Sequence, residues 1–127
     1  MTARARGSGG QDGEFARHVL DLLQGWAPVA ARRMFGGHGL FRGGIMFALF
    51  DAQTLYLKTD DSNRGSHEAA GMAPFRYRRA GKLVALGFHA VPPELLDDGE
   101  ALARWAGAAW EAALRARRNP RRPVCVP

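Results

Sequence analysis

Four histidines, one cysteine and a glycine run are the residues whose types invite chemistry in this 127-residue chain. His18, His38, His67 and His89 each offer an imidazole, a side chain that can ligate a metal. Two ligands on one helix face need a spacing such as i, i+4, and no two of these histidines have it. A structural or surface role is the expectation for each, with no metal. His38 and His89 both fall at strand positions, so only folding could join them. Lys58 ends a Tyr-Leu-Lys strand, where a buried ammonium would need a partner or a shifted pKa. His38, Lys58 and His89 are therefore the candidate pocket, and their convergence would mark a small-ligand-binding protein or an enzyme.

The run Gly36-Gly37-His38-Gly39 resembles a phosphate-binding loop only superficially. A Walker loop ends in Gly-Lys-Ser/Thr, which is missing, and the dinucleotide pattern fails because the sixth position from Gly37 is Arg42. Turn or bulge roles account for these glycines. Cys125 lies in a Pro- and Arg-rich stretch with no base near it in sequence, so a nucleophilic role needs unseen partners. Asp60-Asp61 and Asp97-Asp98 read as helix starts rather than as paired catalytic carboxylates. No catalytic, cofactor-binding or metal-binding residue nominates itself, and no cofactor is expected.

Charge is concentrated at the ends. The formal net charge is +6, yet residues 7–114 hold eleven Lys plus Arg against twelve Asp plus Glu, a net of −1. Arg4 and Arg6 lie ahead of that span, and Arg115, Arg117, Arg118, Arg121 and Arg122 lie behind it. A dedicated DNA-binding domain would carry its basic charge on the folded surface. Here only the five carboxy-terminal arginines are candidate nucleic-acid contacts, by salt-sensitive neutralisation of phosphates.

The elements that must position these residues follow from periodicity. Residues 1–13 read as a flexible tail, residues 14–116 as the folded domain and residues 117–127 as a basic tail. Phe15, Val19, Leu22, Leu23 and Trp26 recur at helical spacing, which predicts an amphipathic helix over 14–26, closed by Gly25 and Pro28. Between Met34 and Lys58, three apolar runs bounded by turn residues predict an antiparallel meander. Its middle run, residues 45–50, is apolar at every position. Strict alternation would put Ile45, Phe47 and Leu49 on one face and Met46, Ala48 and Phe50 on the other, so both faces need cover.

A short helix over 60–70 is weakly apolar, with Arg64, His67 and Glu68 expected in water. Residues 75–79 and 82–91 read as a hairpin around Ala80-Gly81. In the last helix, Leu102, Ala106, Ala109 and Ala113 form a stripe of small apolar groups. Trp105 and Trp110 lie about 140° apart around it. They cannot share one contact, which makes them candidate interface residues.

Arg33-Met34-Phe35-Gly36-Gly37-His38-Gly39-Leu40-Phe41, with Met46-Phe47 and Leu55-Tyr56-Leu57-Lys58, resembles the amino-terminal domain of the TfoX (Sxy) family of bacterial competence regulators. Ala70-Gly71, Pro74-Phe75, Val91-Pro92 and Trp105 extend the likeness over residues 15–116. The resemblance implies an α+β fold with a five-stranded antiparallel sheet, a three-strand meander plus a hairpin, in the order α-β-β-β-α-β-β-α. It also implies a non-catalytic protein-interaction domain in transcriptional regulation. The family's longer regulators add a second, helical domain and act with the cAMP receptor protein. This chain is expected to be a stand-alone, single-domain member, which weighs against a competence role and leaves its protein partner unidentified, with the transcription machinery as the candidate.

Length and composition agree with one folded domain: 46% of residues are hydrophobic, and no apolar run approaches the roughly 18 residues of a membrane span. The first residues lack the apolar segment of a signal peptide. With a single cysteine, a cytoplasmic protein without membrane association is the expectation. The doubly apolar strand and the two-tryptophan helix carry surplus hydrophobic surface, for which homodimerisation is the favoured use and a larger core the alternative.

Overall fold

Gly43 and Gly44 adopt positive φ, 59° and 82°, and so close a two-residue turn whose twist suits paired strands. In the computed structural model, which describes residues 10–34, 37–51 and 54–118, this turn joins strands β2 (Gly37–Arg42) and β3 (Ile45–Asp51). Helix α1 (Gly10–Gln24) and strand β1 (Ala30–Met34) precede them. Strand β4 (Thr54–Lys58), helix α2 (Arg64–Ala69), strands β5 (Pro74–Arg79) and β6 (Lys82–Ala90), a 3-10 turn at Pro93–Asp97 and helix α3 (Gly99–Arg118) follow.

The sheet has six strands, in the order β1-β2-β3-β4-β6-β5, all neighbours antiparallel. This corrects the expected five strands: the meander and the hairpin are present, and the additional strand is β1, Ala-Ala-Arg-Arg-Met. Ala30, Ala31, Arg32 and Arg33 are all exposed, so β1 has no apolar alternation to reveal it. It is held by its ladder with β2 and by the Arg32 guanidinium, 5.0 Å from the centre of the Phe41 ring.

A second correction concerns the faces of β3. Leu40 pairs with Ala48 and Phe41 with Met46, which leaves Phe47 as the extra residue of a bulge. The shift breaks strict alternation. Phe47, Ala48 and Phe50 all enter the main core, whereas Leu49 joins Met46 in a separate cluster. That second cluster is built wholly from strand residues, with Tyr56, Phe75 and Phe88 beside Leu49 and Met46. Tyr56 and Phe75 meet edge to face at 4.9 Å.

The main core lies under the helices. On α3, the expected stripe of Leu102, Ala106, Ala109 and Ala113 is buried. Its small side chains let the helix settle across β3 and β4 and against α1. Asp98 caps α3, its carboxylate accepting from the Ala101 N–H at 3.1 Å. Val19 and Leu23 bring α1 into the same core, and Trp26 packs edge to face on Phe47 at 5.4 Å. The helix itself starts at Gly10 and ends at Gln24, shifted towards the amino terminus relative to the expected 14–26. Gly37 approaches the next strand so closely that an added Cβ would collide with the Phe50 carbonyl, an architectural role like the one expected of the glycine run.

Phe47 is wholly buried and touched by aromatic rings from both flanking elements. Phe47→Ala is expected to cost about 3 to 5 kcal/mol in a denaturant titration. A loss below about 1 kcal/mol would contradict its place at the centre of the core.

Candidate functional site

The most densely connected polar group lies where β4 leaves the sheet and α2 returns to it. Thr59 follows β4 and donates its N–H to the Gly87 carbonyl at 2.9 Å. Asn63, itself buried, spans the next turn: its amide donates to the Lys58 carbonyl at 2.9 Å, and its Oδ1 accepts from the Asp60 N–H at 2.8 Å. Asp60 Oδ1 accepts from the Ser62 N–H at 2.9 Å. This carboxylate therefore shapes the turn before α2, which is capped by neither Asp61 nor Ser62; the residue ahead of the helix is Asn63.

The turn is anchored to α3 by Arg115. Its guanidinium donates through Nε and an Nη nitrogen to the two Asp60 oxygens, at 2.7 and 3.1 Å. The hydrogen bond from Arg115 holds the Asp60 carboxyl below its ordinary value, with smaller support from the Ser62 and Asn63 backbone.

Behind α2 lie two histidines. His67 was expected in water, yet it is 1% exposed and is the one buried residue of α2. Its Nδ1–H donates to the Ala90 carbonyl at 2.8 Å, and its ring meets Trp105 at 4.8 Å and 75°. His89 is also buried, with Nδ1 2.9 Å from the Thr59 hydroxyl. The two imidazole centroids are 5.7 Å apart. Burial lowers the pKa of both. The Ala90 hydrogen bond partly offsets this at His67, and the neighbouring His67 lowers His89 further.

Of the sequence-derived pocket residues, only His89 belongs to this cluster. His38 stands on β2, stacked on Phe50 at 4.9 Å. Lys58 pairs with Phe88 across the ladder and places its ammonium 5.1 Å from that ring. His89 pairs with Leu57, so alternation puts His89 and Lys58 on opposite faces of the sheet. The structure brings His89 to Thr59 and His67, and does not gather His38, Lys58 and His89 into one pocket. His18 faces the Leu96 carbonyl at 2.6 Å. Among the described residues, no group of three or more His, Cys, Asp or Glu is placed to hold a metal ion.

The other candidates are dispersed as well. Trp105 covers His67, whereas Trp110 meets Phe47 and, with Trp26, flanks the Arg42 guanidinium at 4.8 and 4.7 Å. Of the five arginines, Arg115 is engaged by Asp60, Arg117 and Arg118 are exposed in the last turn of α3, and Arg121 and Arg122 lie outside the described residues, as does Cys125.

The family model of the TfoX N-terminal domain matches residues 21–113. The chain belongs to the TfoX N-terminal domain family. The match begins inside α1 and ends inside α3, so it takes in the whole sheet, the His67 and His89 cluster and both α3 tryptophans. Among curated proteins, none matches the chain. No helix among the described residues is long and apolar enough to cross a membrane. As a TfoX N-terminal domain, the chain spends its described imidazoles on internal contacts: a carbonyl for His18 and His67, a ring for His38 and a hydroxyl for His89.

The partly exposed Asp60–Arg115 pair is expected to show a coupling of about 1 kcal/mol in a double-mutant cycle of Asp60→Asn and Arg115→Gln. Because the folded-state pKa of Asp60 is lowered from 3.8, this contribution is complete above that value. It is lost as pH falls through the lower folded value. Zero coupling at neutral pH would contradict a stabilising role.

Proposed function

We propose that this chain is a non-catalytic protein-interaction domain of bacterial transcriptional regulation, acting in the cytoplasm on a partner from the transcription machinery. The observation that carries the reading is family membership across residues 21–113. The internal use of the histidines supports contact rather than turnover. A TfoX N-terminal domain would regulate by occupying a partner's surface.

Homodimerisation is part of the proposal. Its support is the strand-built cluster, whose half-buried Met46 and Tyr56 lie beside the buried Leu49, Phe75 and Phe88. A second copy presenting the same residues would complete their burial through a self-complementary contact. Nucleic acid enters only through the basic end of the chain, where Arg117 and Arg118 stand exposed on α3. There it would act without reading sequence.

The test is affinity capture from a nuclease-treated bacterial lysate, with the full chain compared to a version ending at residue 116, which keeps the Arg115 anchor. The expected result is one transcription-machinery protein retained equally by both, and salt-sensitive DNA binding by the full chain alone. Retention that requires nucleic acid, or that is lost with the arginines, would contradict the protein-interaction reading.

A further inference from the structure

The paired imidazoles do something that neither the family nor the proposed interaction role assigns. Helix α2 is six residues long, too short to be stable without tertiary support, and His67 is its one buried side chain. Of its own residues, the His67 ring alone is buried against the sheet. That ring is seated between the Ala90 carbonyl, Trp105 and His89.

We propose that His67 and His89 form a proton-operated latch, which holds α2 on the sheet while both rings are neutral and releases it when both are protonated.

The geometry shows why two protons are tolerated poorly. Each imidazolium would lose most of its hydration at a buried position, and two would face each other at a centroid distance of 5.7 Å. The surrounding charges offer little relief. From α2 they are Arg64 and Glu68, already in contact at 3.7 Å; from β5 there is Arg76. Helix α3 presents the uncharged Trp105, and its Arg115 is held by Asp60 in the turn that precedes α2. From the end of β4 comes the neutral Thr59 hydroxyl. Only Glu68 favours the charged form of His89, and Arg64 and Arg76 oppose it.

The two histidines differ in how they can escape. His89 is fixed within β6, paired to Leu57, and stays with the sheet when α2 leaves. His67 swings out with α2, and its departure uncovers the His89 ring as well. Opening then uncovers the face of Trp105 that His67 covers and frees the Ala90 carbonyl. Because the docked form depresses both pKa values, docking is complete above the ordinary histidine value of about 6.5. It weakens as pH falls through that value towards the lower docked ones.

Native-state hydrogen exchange tests the latch directly. The Ala70, Gly71 and Met72 amides bond back to carbonyls of α2 and report its integrity. Between pH 7.5 and 5.5, after correction for intrinsic exchange, their protection should fall by about tenfold or more. The Leu49 and Leu57 amides in the sheet should keep theirs. In His67→Gln, where a non-titrating amide can still donate to Ala90, and in His89→Gln, each of which leaves one imidazole, the fall should be smaller than in the wild type, and in the double variant it should vanish. Protection of α2 that is independent of pH, a loss shared equally by the sheet, or a wild-type response in both single variants would overturn the proposal.

Discussion

The bulge at Phe47 is the constraint on which the rest of the molecule depends. One extra residue in β3 turns Phe47 towards the helices beside Ala48 and Phe50, and sends Leu49 to the opposite face. Trp26 from the end of α1 and Trp110 from α3 close on Phe47 from two directions, and the Arg42 guanidinium sits between those indoles. A ring at that position requires α3 to approach closely elsewhere, and the alanine stripe permits it. Packing of the two terminal helices thus follows from a local irregularity in one strand. The same irregularity creates the second apolar cluster.

Near the carboxy-terminal end of α3 the logic is polar. Asp60 organises the turn that leads into α2, and Arg115 ties this turn to the last helix across 55 positions in sequence. Asn63 saturates the backbone groups left where β4 ends. These bonds hold the base of α2 while its body rests on His67. A short helix fixed at its start and fastened by one titratable ring is the part of the domain best suited to local opening.

Legibility in the sequence followed side-chain periodicity. Helices α1 and α3 were legible because apolar residues repeat at helical spacing, strands β2 to β4 as apolar runs bounded by turn residues, and β5 and β6 as a hairpin around Ala80-Gly81. Strand β1 was not: Ala30 to Arg33 are all exposed, and its backbone ladder leaves no hydrophobic pattern. The bulge was hidden for the opposite reason, since a run apolar at every position carries no mark of where alternation breaks. His67 is a single buried polar residue in a polar helix, a case periodicity cannot detect. His89 was singled out, but its partners Thr59 and His67 come from different elements. The family was legible because most of its motif residues fall within strands β1 to β4.

The helix-covered face of the sheet makes the core, and on the proposed reading the strand-built cluster on its other face contacts protein, beginning with a second copy of the chain. A dilution series of backbone amide NMR spectra tests that claim most directly. The account predicts concentration-dependent shifts grouped at Met46, Leu49, Tyr56 and Phe88, with α1 and α3 unchanged. Shifts confined to the helices, or spectra of a monomer unaltered at high concentration, would contradict it.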